Sequence, residues 1–187
     1  MKKVIPHSFF SRPAPTVARD LLGKYLVRRV NGKTRAYKIV ETEAYVGPRD
    51  KASHSYGGRR TKRNEPMWGK AGHWYIYFTY GMHYMLNIVT GKEGYPSAVL
   101  IRGVEPAPTS GRTWAGKEGK LNGPGRLTKA LKIDKTLNTK AALPANGLWI
   151  EDRRDKVPRN KIQRTARIGI AYAEEWIEKP LRYVIKP

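Results

Sequence analysis

Apolar residues in this chain fall in short runs, each closed within a few residues by a turn former. Pro13-Ala14-Pro15 introduces a helix over Thr16–Leu22 and Gly23 closes it, because proline suits a helix start and glycine the position past its end. Tyr25–Val30 and Thr34–Tyr45 are β-branched runs on either side of Asn31-Gly32, the signature of a tight hairpin. Trp74–Tyr80, Tyr84–Thr90 and Ser97–Val104 read as further strands. Pro124–Ile133, entered through Asn122-Gly123-Pro124, reads as a second helix, and Leu148–Glu151, Arg167–Tyr172 and Leu181–Lys186 as late strands. Many short strands and few helices predict an α+β fold with a curved, largely antiparallel sheet and peripheral helices. A parallel βαβ arrangement does not fit, and neither GxGxxG nor a Walker A motif is present. No repeat or low-complexity linker divides the chain, so residues 1–187 are expected to form a single domain with a substantial core. The Gly/Lys/Thr-rich segment from Pro106 to Asn122 reads as a surface loop rather than a domain boundary.

Charge narrows the choice of partner. Lys plus Arg number 37 against 15 Asp plus Glu, a formal net charge of +22. Such a charge opposes compaction by self-repulsion, so a polyanion is the natural partner. The alternative, a charge-rich surface adapted to heat, would mix both signs in networks. No apolar run approaches the ~18 residues of a membrane span, and no membrane partner is expected. The basic start Met1-Lys2-Lys3-Val4-Ile5-Pro6 lacks the apolar core of a signal peptide, so the expected location is intracellular, cytoplasmic or nucleoid-associated. Without cysteine there is no disulfide, thiolate nucleophile or cysteine-ligated metal. The four histidines show no HExxH-like spacing, so neither metal nor cofactor is expected.

Candidate chemistry concentrates between Glu41 and Asn87. Glu41, Glu43 and Tyr45 share a strand face by the period of two. A loop rich in cations follows (Arg49, Lys51, Arg59, Arg60, Lys62, Arg63, Lys70), then the aromatic strand Trp74-Tyr75-Ile76-Tyr77-Phe78-Thr79-Tyr80. Cations hold phosphates, aromatic faces stack on bases, and a partly desolvated carboxylate can activate water. Each residue also has a plainer reading. Glu43 could be an exposed strand-end glutamate paired with an arginine. The aromatic strand could be core, His54 a structural histidine, and Asn87 a buried amide that satisfies backbone groups. Arg102, inside Val99-Leu100-Ile101-Arg102, must be paired or face a site.

The combination resembles the alkyladenine (3-methyladenine) DNA glycosylase family. The resemblance runs through Glu41-Thr42-Glu43-Ala44-Tyr45-Val46-Gly47-Pro48, Ala52-Ser53-His54-Ser55, Arg63-Asn64, Tyr77, Tyr80-Gly81-Met82 and Met85-Leu86-Asn87-Ile88. It continues through Leu100 to Pro106, Asn122 to Leu127, Ala166 to Ile170 and Lys179 to Tyr183, nearly the whole chain. It implies a mixed α/β domain shaped like the C-terminal domain of formyltransferases. It also implies excision of alkylated and deaminated purines from double-stranded DNA without metal or cofactor. Under that resemblance Glu43 activates the water, and Arg102 with the Ile168 carbonyl helps hold it. Tyr45, His54 and Tyr77 line the base pocket, Tyr80 fills the gap in the duplex, and Asn87 stands where a guanine amino group would clash. Arg59 and Arg63 hold phosphates. A cationic alkylated purine is expected to stack well between tyrosines. No lysine presents itself as a Schiff-base nucleophile, so a monofunctional enzyme is expected, and a DNA-scanning enzyme of this size is expected to be a monomer. The rival class is a non-enzymatic basic RNA- or DNA-binding domain, which explains charge and aromatics but leaves Glu43 without a task.

Overall fold

The structure, a computed structural model, describes residues 2–107 and 121–186. The segment from Pro106 to Asn122 read as a surface loop therefore lies for the most part outside the described residues. Among those described, the strands are β1 (Lys3–Val4), β2 (Tyr25–Val30), β3 (Lys33–Tyr45), β4 (Trp74–Thr79), β5 (His83–Val89), β6 (Ala98–Pro106), β7 (Leu121–Asn122), β8 (Leu148–Asp152), β9 (Ile162–Thr165) and β10 (Arg182–Ile185). The helices are α1 (His7–Phe10), α2 (Ala14–Leu21) and α3 (Pro124–Ala130). Every strand joins one antiparallel sheet, ordered β1-β8-β2-β3-β6-β5-β4, with β10 bridging β3 and β9 and β7 on β6. The α+β expectation holds.

β3 organises the sheet. One edge pairs first with β2, Lys33 to Lys38, and then with β10, Glu41 to Glu43. The other edge follows β6 from Tyr37 to Tyr45, with an irregular register between Ile39 and Thr42. A bulge of this kind bends a strand and re-aims its side chains. The β2–β3 turn is built as expected: Asn31 and Gly32 both have positive φ, 49° and 72°, which the tightest hairpin turn requires.

One sheet face packs on α2 and α3. Val17, Ala18 and Leu21 of α2 and Leu127 of α3 join Ile39, Trp74, Leu86, Ile88, Val99 and Ile101 in the main core. Each fully buried Val, Leu or Ile among them contributes about 1.5–3 kcal/mol. Thr42 points to this side, its hydroxyl donating to the Ala18 carbonyl at 2.8 Å. Glu41 and Glu43 therefore point to the other.

Most predicted elements appear with ends displaced by one or two residues, as fraying termini allow. Two differ in kind. The second helix ends at Ala130 rather than Ile133, since Lys132 takes φ 50° and turns the chain. Arg167–Tyr172 is not a strand, and the late strand lies just before it, in β9. Its polar groups are spent elsewhere: the Arg167 side chain and the Ile168 N–H bond to the β3 region, and Gly169 takes φ 77°. No helix among the described residues is long and apolar enough to cross a membrane.

Candidate active site

Glu43 is wholly buried, at 0% exposure. The Tyr45 O–H donates to its Oε2 at 3.0 Å, and the Ile168 N–H donates to its Oε1 at 3.0 Å. Arg102 approaches that same Oε1 at 3.6 Å through Nε, but donates to Glu41 Oε1 at 2.9 Å. Arg182, from β10, donates to the same Glu41 oxygen at 2.6 Å. Glu41 thus takes the short bonds of both arginines, and Glu43 keeps mostly neutral donors. Burial pushes the Glu43 carboxyl above the usual carboxylate range, and Arg102, the Ile168 N–H and the Tyr45 O–H pull it back only in part. A raised carboxyl is a stronger base once ionised.

Glu43 borders an open cavity of about 420 Å³, a size that suits a small ligand or a single base. Arg102, Asn87, Ile168, Tyr45, His54, Tyr77 and Tyr80 border it too. These are the residues singled out from the sequence, apart from Arg59 and Arg63. His54 Nδ1 lies 2.7 Å from the Tyr75 hydroxyl, and its ring meets Tyr77 edge-on with centroids 4.6 Å apart. Burial first, then the Arg63 cation, push this imidazole down to about 4, so it is neutral at pH 7. Burial pushes the Tyr77 phenol up to about 12 and Tyr45 well above its ordinary value, the latter helped by Glu43. Both tyrosines therefore remain neutral, apolar-faced walls with a hydroxyl to donate.

Asn87 combines its two readings. It is buried, its Nδ2 donates to the Tyr75 and Met85 carbonyls at 3.1 and 3.3 Å, and it borders the cavity. Tyr80 is 79% exposed at the tip between β4 and β5, with φ 52°. A left-handed residue other than glycine costs about 1–2 kcal/mol.

Methylpurine-DNA glycosylase is the sequence family whose profile matches residues 8–187. A protein of Borrelia garinii subsp. bavariensis, named "Putative 3-methyladenine DNA glycosylase", is 47% identical over 95% of this chain and 94% of its own length. One of Clostridium botulinum with the same name is 41% identical over 98% and 96%. One of Methanocella arvoryzae is 44% identical over 98% and 92%. The chain belongs to the methylpurine-DNA glycosylase family. It is therefore an enzyme of the DNA-glycosylase class, and DNA is its partner.

Two buried charged residues that brace this arrangement were not singled out from the sequence. Arg167 and Asp50 are both buried and form a two-pronged ion pair, Nη1 to Oδ2 at 2.6 Å and Nη2 to Oδ1 at 2.8 Å. Arg167 Nη1 also donates to the Ala44 carbonyl, and its guanidinium lies 4.8 Å from the Tyr45 ring centroid. The pair ties the segment holding Ile168 to the strand holding Glu43. The available signal was Arg167 itself, a charge placed in an apolar run. Tyr75, the partner of His54, was hidden by its resemblance to core. Arg59 is exposed on the basic loop. Arg63 stacks 4.9 Å from the Tyr77 centroid and donates from Nη2 to the Phe78 carbonyl at 3.2 Å. No group of three or more His, Asp or Glu residues among the described residues is placed to hold a metal ion.

Proposed function

We propose that this glycosylase takes alkylated or deaminated purines out of duplex DNA, seats them in the 420 Å³ cavity, and hydrolyses the N-glycosidic bond to leave an abasic site. The observation that carries the reading is Glu43: a completely buried carboxylate, held at both oxygens, on the wall of an open cavity lined by tyrosines. Unlike a structural carboxylate closed by a buried arginine, Glu43 has its charge answered only in part, and a buried charge left so is costly unless it serves a site.

A purine in the stack is out of reach, so it must be flipped, at a cost of a few kcal/mol. Tyr80, held out at the hairpin tip, is placed to fill the gap and stack on the exposed neighbours, at about 1–3 kcal/mol. Tyr45, His54 and Tyr77 clasp the base. As the base leaves with the bonding electron pair, positive charge develops on the sugar, and the Glu43 carboxylate opposes it. Glu43 then takes one proton from the attacking water while its oxygen bonds to the sugar carbon. Arg102 and the Ile168 carbonyl position that water, and the Tyr45 O–H and Ile168 N–H keep the carboxylate aimed. Asn87, whose amide nitrogen is anchored to two backbone carbonyls, leaves no room for the amino group of guanine. Arg59 and its loop neighbours approach phosphates. Arg63 shares that loop and rests on Tyr77.

The decisive experiment is incubation with a duplex carrying one hypoxanthine, followed by hot alkali. Strand scission only after alkali is expected. Binding without any alkali-labile site would favour a non-enzymatic nucleic-acid-binding role. Scission before alkali would replace hydrolysis with a lyase mechanism.

A further inference from the structure

Two of the tyrosines that wall the cavity carry a guanidinium, Arg167 on Tyr45 and Arg63 on Tyr77. The two are not equivalent. Arg167 is buried, and the carboxylate of Asp50 cancels its charge. Arg63 is exposed, and its described contacts are the Tyr77 ring and the Phe78 carbonyl, neither of them anionic. Tyr77 borders the cavity and Arg63 does not. This uncancelled cation thus lies against the cavity-lining ring from outside the lining.

A tyrosine sandwich by itself attracts a cationic base through the ring quadrupole. A cation already on the far face draws on that same quadrupole and adds repulsion across the ring. We propose that Arg63 sets the charge preference of the cavity, disfavouring cationic N-alkylated purines relative to neutral purines. The inference rests on the base-excision reading above. It works against the preference that the tyrosines alone imply. The influence of Arg63 already reaches the cavity wall, because the same cation helps to keep His54, edge-on against Tyr77, in its neutral form.

A base stacked roughly 3.5 Å beyond the ring lies about 8 Å from the guanidinium, where two unit charges at an effective permittivity of ~20 repel by about a thirty-fold factor in binding. Solvent and salt around the exposed Arg63 reduce this to about three- to ten-fold. A neutral purine escapes this penalty.

The test compares single-turnover release of 3-methyladenine, cationic as the nucleoside, from freshly methylated duplex with release of neutral hypoxanthine. The enzymes are the natural one, Arg63→Met and Arg63→Lys. The ratio of cationic to neutral release should rise about three- to ten-fold in Arg63→Met and stay unchanged in Arg63→Lys. The His54 titration, followed by NMR, should move upward in Arg63→Met alone. An unchanged ratio in Arg63→Met overturns the proposal. If the salt dependence of duplex binding in that variant also flattens by about one unit of log–log slope, Arg63 belongs on a phosphate instead. A rise in both variants overturns it too, since shape and not charge would be responsible. Should the natural enzyme release neither base, the base-excision reading fails. The His54 titration then decides by itself whether the Arg63 charge reaches the cavity.

Discussion

Glu43 and Asp50 are two carboxylates buried to the same degree, 0% exposed, on adjoining stretches of chain. Asp50 is closed. Its Oδ1 accepts from Arg167 Nη2 and the Ala52 N–H, and its Oδ2 from Arg167 Nη1 and the Val46 N–H. Glu43 is open. It has one N–H, one O–H and an arginine at 3.6 Å whose short bond goes to Glu41, and one side of it faces the cavity. Burial alone does not make a carboxylate reactive. What separates the two is how fully charge and hydrogen-bonding capacity are answered. Asp50 is a post that fixes backbone, and Glu43 is poised above its ordinary proton affinity.

The sharpest way to break this contrast is to neutralise each member. Glu43→Gln should lower single-turnover excision by about 10²–10⁴-fold, the range of a general base. Its melting temperature should be unchanged or higher, because a buried charge with only partial compensation is removed. A large fall in melting temperature would make Glu43 structural.

Asp50→Asn should do the reverse. Leaving Arg167 buried without its partner costs about 3–5 kcal/mol, or roughly 10 °C in a chain of this size. Whatever folds should retain the Glu43-dependent step. Lost excision with an unchanged melting temperature would erase the distinction between post and base.

His54 extends the comparison to a neutral wall of the same cavity. Its folded value lies near 4 against the ordinary 6.5. A depressed value contributes stability that is fully present above pH 6.5 and lost as pH falls through about 4. The loss should be on the order of 2–3 kcal/mol. Melting temperatures taken from pH 7 to pH 4 should fall along that limb, and His54→Gln should flatten it. A slope identical in both proteins would show that the imbalance lies elsewhere.

Tyr80→Ser tests whether work on the duplex can be separated from work on the base. Excision from paired duplex should weaken by about 1–3 kcal/mol under subsaturating conditions. Lesions already in a bulge should lose less. Equal losses would place Tyr80 within the cavity chemistry.

Asn87→Ala is the finest probe, since one side chain has two attachments. Removing the amide leaves the Tyr75 and Met85 carbonyls without its donor, at about 1–3 kcal/mol of stability. It should also raise release of guanine-derived bases relative to hypoxanthine. A lower melting temperature with an unchanged ratio would assign Asn87 to the scaffold alone.

Local pattern made much of this molecule legible. Asn31-Gly32 marked the turn, proline and glycine marked α2, and short β-branched or aromatic runs between turns marked β3 to β6. The two-residue strands β1 and β7 escaped because two residues carry no period, and β9 escaped because its Ile-Gln-Arg-Thr holds a single apolar residue. Arg167–Tyr172 misled for the opposite reason. Its polar-apolar alternation is that of a strand, yet the Ile168 N–H goes to a carboxylate 125 positions away. Hydrogen bonds that leave the segment have no signature inside it.

By itself the sequence determined the periods of strand and helix, the charge that calls for a polyanion, the residue types of the site and its family resemblance. Those properties reside in side chains and nearest neighbours. Only the tertiary structure decided which carboxylate is open and which is closed, since Glu43 and Asp50 differ by partners brought from β6 and the segment after β9. It also decided that Arg63 rests on Tyr77, which depends on a loop folding back along β4. Proton affinity and electrostatic preference depend on desolvation and on distances between groups far apart in the chain, and both arise only when the chain closes on itself.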